Sequence, residues 1–242
     1  MLYKKQIEVC FTPALLNLYD IKEKNVVLVD ILRATSAICT AFAWGVKEII
    51  PVGSIEEARK CKDKGMIVAG EKDGIVLDFA DFGNSPYNFM NKKIRNASIA
   101  YCTTNGTKAI KAASNAHLMI IGSYLNFTAI KTFLQNDSHD VLIFCSGWKN
   151  RFNLEDTLFA GALSEQLLID NNFTTICDST FASVDLWKTA EPNLMEYIQK
   201  CAHRNRLRKL GLDDVIEYCH TFDKTNILPI LSGHKIIAFR EK

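Results

Sequence analysis

Val26-Val27-Leu28-Val29-Asp30-Ile31-Leu32-Arg33-Ala34-Thr35-Ser36 decides how this chain folds. Its first four residues are apolar and mostly β-branched, which predicts a strand covered on both faces, as in a parallel sheet flanked by helices. A polar break follows, and 35–44 then takes helical spacing, so the stretch reads as one βα unit. The same rhythm continues to about Asp170, with further strands expected at 48–52, 66–69, 98–102, 118–121 and 141–145.

Between these strands, Ser54-Ile55-Glu56-Glu57 forms a capping box that starts a helix ending near Gly65. Asn153-Leu154-Glu155-Asp156 precedes a helical pattern running to Leu168, and 108–113 fills another helical slot. Beyond Asp170 the pattern changes. Residues 178–210 read as mostly helical with a break at Glu191-Pro192, and 213–220 as one more helix. A β-hairpin closes the chain, 226–231 turning at Ser232-Gly233 into 235–239, with Pro229 expected on a sheet edge because proline donates no ladder bond. The expected fold is α/β: a largely parallel sheet with helices on both faces, plus a C-terminal helical and β-hairpin elaboration over about 171–242. The whole of 1–242 reads as a single domain.

With 242 residues, 48% of them hydrophobic, the chain can bury a full core without covalent staples. Its 29 Lys plus Arg against 27 Asp plus Glu leave a net charge of +2, without the clustered basic excess of nucleic-acid binders. A small anionic ligand held by a few local cations remains compatible with that balance. The eight cysteines never form a C-x-x-C pair and mostly sit in apolar runs, so they read as reduced core residues. No uncharged segment approaches the ~18 apolar residues of a membrane span, and no apolar leader segment opens the chain. A cytoplasmic protein that needs neither nucleic acid nor membrane is expected; assembly as a homo-oligomer such as a dimer stays open.

In open α/β sheets ligands bind beyond the carboxyl ends of the strands, which directs attention to the polar residues there. Asp30 ends an apolar strand, where a carboxylate is costly to bury unless it is paired, caps a helix or binds a cation. Arg33, beside Thr35 and Ser36, suits bidentate contact with phosphate or carboxylate, and equally a plain salt bridge to Asp30. Glu71 follows Gly70 at a second strand end. Two carboxylates without a Cys or His cluster favour a hard cation, so Asp30 and Glu71 are candidate Mg²⁺ ligands; an exposed turn carboxylate opposite Lys72 is the alternative for Glu71. Thr103-Thr104-Asn105-Gly106-Thr107 joins a strand to a helix, so its N–H groups can face an anion, with Gly106 permitting close approach. Ser146-Gly147 follows the sixth strand. Glu155 and Asp156 open a helix, where carboxylates are also favoured structurally, and His203 begins a short basic run with Arg204, Arg206 and Arg208.

Five segments in order resemble the 2-phosphosulfolactate phosphatase family of coenzyme M biosynthesis. They are 29–36, Ala69-Gly70-Glu71-Lys72, Phe82-Gly83-Asn84-Ser85-Pro86, 103–107, and the tail from His203 through Leu210-Gly211-Leu212 to Asp223 and Pro229. Cys145-Ser146-Gly147 departs from the small residue and Ala-Gly expected there, and Trp148-Lys149-Asn150-Arg151 lengthens the difference. The resemblance implies an α/β fold and Mg²⁺-dependent hydrolysis of a phosphate ester on a sulfonated 2-hydroxy acid, 2-phospho-3-sulfolactate, to sulfolactate and phosphate.

Such a reaction is limited by charge, since the phosphoryl oxygens and neighbouring anions repel a nucleophile and the leaving alkoxide is poor. Asp30 and Glu71 are expected to hold Mg²⁺ while Arg33 and the 103–107 loop neutralise the phosphoryl group. Glu155 or Asp156 is a candidate base or outer ligand, His203 a candidate proton donor, and Arg206 a candidate clamp for the second anion. Asp30 is preferred as ligand over nucleophile, because Leu32 stands where haloacid-dehalogenase-type phosphatases carry a second aspartate. Two rivals are a phosphatase of another small acidic phosphoester and a non-catalytic anion-binding module.

Overall fold

The computed structural model describes residues 4–240. Its strands are β1 (Lys5–Cys10), β2 (Lys24–Val29), β3 (Glu48–Pro51), β4 (Ile67–Lys72), β5 (Ile75–Val76), β6 (Ser98–Cys102), β7 (Leu118–Gly122), β8 (Asp140–Cys145), β9 (Phe173–Thr174), β10 (Pro229–Ser232) and β11 (Lys235–Ala238). The α-helices are α1 (Ala34–Ala43), α2 (Ile55–Asp63), α3 (Pro86–Phe89), α4 (Gly106–Ala112), α5 (Phe127–Asn136), α6 (Leu154–Leu168), α7 (Asp178–Ala190), α8 (Leu194–Tyr197), α9 (Ala202–Lys209) and α10 (Ile216–Cys219). The fold is α/β. All six expected strands are present, and β1, β5, β9 and α5 join them.

The strands form one sheet in the order β5-β4-β6-β3-β11-β10-β7-β2-β8-β1-β9. One block, β4-β6-β3, is parallel within itself. So is the other, β7-β2-β8-β1-β9. The C-terminal hairpin lies between them and pairs antiparallel at every step, β3 to β11, β11 to β10 and β10 to β7. Those steps reverse the strand direction, so the two blocks run opposite ways along the sheet. Pro229 is therefore not on an edge strand, contrary to the sequence expectation. It is the first residue of β10, and the recorded β10–β7 register pair is Ile230 with Ile120, so the missing N–H falls where the ladder has barely begun.

Three cores follow from strand alternation. One face of the β7-β2-β8-β1 block packs Val27, Val29, Ile120 and Ile143 against α5, α6 and α7. The outer face of β3-β6-β4 packs Ala100 and Val68 against Ala58 of α2. The remaining face of both blocks shares a single cluster that joins Leu28, Ile121 and Phe144 to Ile49, Tyr101 and Ala69 through Ile38 and Phe42 of α1. A helix buried from Ala34 through Phe42 has no solvent face, and the hydroxyls of Thr35, Ser36 and Thr40 are bonded within the protein rather than to solvent. The sheet thus curls about α1, and each fully buried Ile or Phe along it contributes roughly 1.5–3 kcal/mol.

At α2, Ser54 Oγ accepts the Glu57 N–H as the capping box requires, but the Glu57 carboxylate reaches one residue further back, to the Gly53 N–H. All eight cysteines are free, most of them buried. Among the described residues no helix is long and apolar enough to cross a membrane.

Candidate active site

Asp30 sits at the carboxyl end of β2, buried. Its Oδ1 accepts the Ala34 N–H at 3.3 Å and so caps α1. Its Oδ2 lies toward Gly106, where an added Cβ would come within 3.4 Å of that oxygen and 2.8 Å of Ala34 Cβ. Gly106 is thus required for the loop after β6 to approach the loop after β2. Burial pushes the Asp30 pKa up, and the charge of His203 opposes the shift. Thr35 Oγ1 donates to Asp30 O at 2.9 Å and accepts the Asp30 N–H at 3.1 Å. Ser36 Oγ donates to Ile31 O at 2.9 Å and meets Ser123 Oγ at 3.0 Å. Both hydroxyls lock the loop from within rather than face a ligand.

Arg33 is only 4% exposed. Among the described residues no carboxylate forms an ion pair with it, and no Asp30–Arg33 bridge exists; burial lowers its pKa. Glu71, in β4, is the opposite case. Its Oε1 accepts the Thr104 N–H at 2.7 Å, and its Oε2 accepts the Gly74 N–H at 2.6 Å and the Thr104 hydroxyl at 3.0 Å. Both oxygens clamp the β4–β5 turn to the loop after β6. That loop also holds itself: Thr107 N donates to Thr103 Oγ1 at 3.2 Å and Thr107 Oγ1 to Thr103 O at 3.0 Å. The Thr104 and Thr107 N–H groups, expected to face an anion, are therefore occupied by protein acceptors.

The first turn of α6 buries two adjacent carboxylates with different tasks. Asp156 Oδ1 accepts the Ile31 N–H at 2.9 Å, and Oδ2 accepts the Gly147 N–H at 3.3 Å, tying the loops after β2 and β8 together. Burial, with Glu155 and Asp30 nearby, pushes its pKa well above the usual range. Burial acts on Glu155 the same way, but the hydrogen bond and charge of His203 outweigh it and hold the Glu155 pKa below its ordinary value. His203 Nδ1 lies 2.9 Å from Glu155 Oε1. The His203 ring packs on Trp148, with centroids 5.4 Å apart, and the Arg206 guanidinium lies 4.2 Å from the Trp148 ring centre. Arg206 Nε and Nη2 are buried without a hydrogen-bond partner.

These groups meet in a narrow cleft of about 40 Å³ lined by Asp30, Leu32, Arg33, Glu71, Asp73, Gly74, Asn84, Thr103, Asn105, Trp148, His203, Arg206, Leu207 and Leu210. Of the residues selected from sequence, Asp30, Arg33, Glu71, Thr103, Asn105, His203 and Arg206 line it. Thr35, Ser36, Thr104, Gly106, Thr107, Gly147, Glu155 and Asp156 stand behind its wall as loop locks and supports. Asn84 and Trp148 were not selected. Asn84 carries a buried, unpartnered Oδ1 and lies in the 82–86 segment, where its polar amide beside Gly83 and Pro86 was the available signal. Trp148 follows Gly147, whose φ of +58° and 2.4 Å clearance from Arg151 O require glycine. Lys149 closes the rim through an ion pair with Asp73 at 2.8 Å.

A wider hollow of about 1110 Å³ lies between α5 and the hairpin, but it contains none of the residues expected to act on the substrate. Its Asp223 is taken up by the Thr128 N–H and hydroxyl. The narrow cleft, where buried Arg33 and half-buried Arg206 lack carboxylate partners among the described residues and lie beside an Asp and a His, suits a small anion. Among the described residues no group of three or more His, Cys, Asp or Glu side chains is arranged to hold a metal ion.

Known proteins agree on the lineage. The family model for 2-phosphosulpholactate phosphatase matches residues 10–234. A protein of Caldanaerobacter subterraneus subsp. tengcongensis named "Probable 2-phosphosulfolactate phosphatase" is 38% identical over 218 residues, covering 88% of this chain and 90% of its own. Proteins of the same name from Carboxydothermus hydrogenoformans, 35% identical over 231 residues (95% and 93% of the two chains), and Thermotoga maritima, 34% over 208 (86% and 89%), are also similar. With a family model spanning nearly the whole fold and relatives matched along most of their length, the chain belongs to the 2-phosphosulpholactate phosphatase family.

Proposed function

We propose that the protein hydrolyses the phosphate ester of 2-phospho-3-sulfolactate to sulfolactate and phosphate, in the cytoplasm. One observation carries the reading beyond family membership: buried Arg33 and half-buried Arg206 line the same narrow cleft, and among the described residues neither has a carboxylate partner. An ester bearing a phosphate and a second acidic group offers two anions to two guanidinium groups, each contact bidentate and charge-assisted. Arg33, rising from the β2–α1 loop beside Asp30, takes the phosphoryl end. Arg206, held flat by Trp148, takes the sulfonate or carboxylate end. His203 lines the same cleft and supplies a proton to the departing ester oxygen.

Magnesium is proposed on Asp30 alone. Mg²⁺ keeps several waters and takes one or two carboxylates plus substrate phosphate; Asp30 Oδ2 is the cleft oxygen not engaged in capping α1, whereas both Glu71 oxygens are occupied. When bound, the ion supplies positive charge to the phosphoryl oxygens. Glu71 then acts by fixing the loops around the site.

The test is phosphate release from 2-phosphosulfolactate and 2-phospholactate, with and without magnesium, by the natural chain and Asp30→Asn. Magnesium-dependent release is expected, with a loss of about 1000-fold in the variant and little change in Tm. Near-natural kcat in Asp30→Asn would overturn the site. Equal kcat/KM for the two esters would favour a natural substrate without the sulfonate, and phosphate trapped covalently on Asp30 would make that residue a nucleophile.

A further inference from the structure

We propose that Glu155 is the positioning residue of this site: it holds the Nδ1–H of His203 and fixes the ring's orientation, so that the imidazolium form presents its second proton, on Nε2, to the ester oxygen in the cleft. The inference rests on the phosphatase reading and goes past it, because it separates two adjacent carboxylates that sequence leaves interchangeable.

The geometry is specific. Glu155 is fully buried and does not line the cleft, so it touches no substrate. Its Oε1 stands 2.9 Å from His203 Nδ1. An ionised carboxylate only accepts hydrogen bonds, so Nδ1 must donate, and the ring's other nitrogen is left for the cleft that His203 lines. Trp148 packs on the same ring at 5.4 Å and limits its rotation. The side chain of His203 is only 12% exposed, so little of the ring reaches solvent. Charged groups around the pair come from several elements: Asp30 from the end of β2, Asp156 from α6, Arg204 and Arg206 from α9, and His220 beyond α10.

Asp156 cannot do this work. Both its oxygens hold backbone N–H groups of other loops, and neither meets a histidine. The division resembles that of other sites where neighbouring carboxylates are driven apart by environment, one pushed below and one above the ordinary range.

In the step so served, water forms a new bond to phosphorus and the ester O–P bond breaks, its electron pair moving to oxygen. That oxygen takes the Nε2 proton of the imidazolium, which leaves the neutral ring with its Nδ1–H on Glu155. The water releases one proton to solvent, from which the imidazole recovers its own, so the sum is ester plus water giving alcohol plus phosphate.

A double-mutant cycle tests the assignment on 2-phosphosulfolactate with Glu155→Gln, His203→Gln and the pair. General acid catalysis is worth roughly 100-fold or more, so Glu155→Gln should lower kcat by about 30- to 100-fold with KM within about threefold, and the double variant should be no slower than His203→Gln within about threefold. Multiplying losses would show that Glu155 acts independently of His203 and overturn the proposal, as would a Glu155→Gln enzyme with more than about half the natural kcat. Glu155→Asp, which keeps the charge, should recover part of the loss. Imidazole ¹⁵N shifts give a readout independent of turnover: neutral His203 should carry its proton on Nδ1 in the natural chain and lose that preference in Glu155→Gln. An unchanged tautomer in Glu155→Gln would also sink the idea. If the natural chain releases no phosphate at all, the phosphatase reading fails, and the ¹⁵N shifts alone judge the Glu155–His203 arrangement.

Discussion

Arg33 weakens the fold that holds it. A guanidinium 4% exposed and without a carboxylate partner has left water for little return within the protein. Arg33→Met keeps the length of the stem and removes the buried charge, so it should raise unfolding free energy by about 1–4 kcal/mol while abolishing phosphate release. Thermal melts with and without inorganic phosphate check both halves: phosphate should raise the Tm of the natural chain and leave that of the variant unmoved. A variant less stable than the natural chain would mean that Arg33 has a structural partner after all. At this scale the meeting of Asp30 and Arg33 in one cleft was legible, because both lie in the loop that ends an apolar strand. Glu71 was not. Its three donors come from Gly74 and Thr104, residues brought together only by the pairing of β4 with β6, so a carboxylate that looked like a metal ligand in sequence is a loop clamp in space.

The element that carries Glu155 and Asp156 is set in place by a single absent side chain. At Gly161, in the middle of α6, an added Cβ would fall 2.0 Å from Ser183 O and 2.8 Å from Trp187 Cβ, both in α7. The helix pair therefore packs backbone against backbone there. Gly161→Ala would gain intrinsic helix propensity of about 1 kcal/mol, yet the close approach to a rigid carbonyl must open, and overpacking of this kind costs about 1–3 kcal/mol or more. The expected outcome is a lower urea midpoint and a lower kcat together, because α6 cannot move from α7 without shifting its first turn under the cleft. An unchanged midpoint would show that the two helices slide freely. The helix itself was readable from the Asn153 start and its apolar length, whereas β1 was not. Lys5-Gln6-Ile7-Glu8-Val9-Cys10 looks like a polar lead-in, but Lys5 is buried because its Nζ donates to Leu134 O, Gln135 O and Asp137 O at the end of α5. A lysine used as a helix C-terminal cap hides the alternation of the strand that bears it.

Across the whole molecule, the cleft draws on both sheet blocks: Asp30 and Trp148 follow β2 and β8, while Glu71, Thr103 and Asn105 belong to β4 and the end of β6. Those blocks run in opposite directions and are joined in the sheet by the C-terminal hairpin, so the tail that reads in sequence as an elaboration is the piece that closes the sheet. Composition and strand pattern could announce the hairpin but not its position, since the register of a late hairpin depends on partners far earlier in the chain. Ile236 is the place to test this. It is fully buried, pairs with Ile49 across the β11–β3 junction, and packs into the cluster around α1 that unites both blocks. Ile236→Ala should lower stability by about 2–5 kcal/mol. Because α1 binds the two blocks into one core, loss should be cooperative: far-ultraviolet circular dichroism and tryptophan fluorescence should report the same midpoint in natural and variant chains. Separate midpoints would show that each block holds its own structure, and the cleft between them would then be an interface that opens before the protein unfolds.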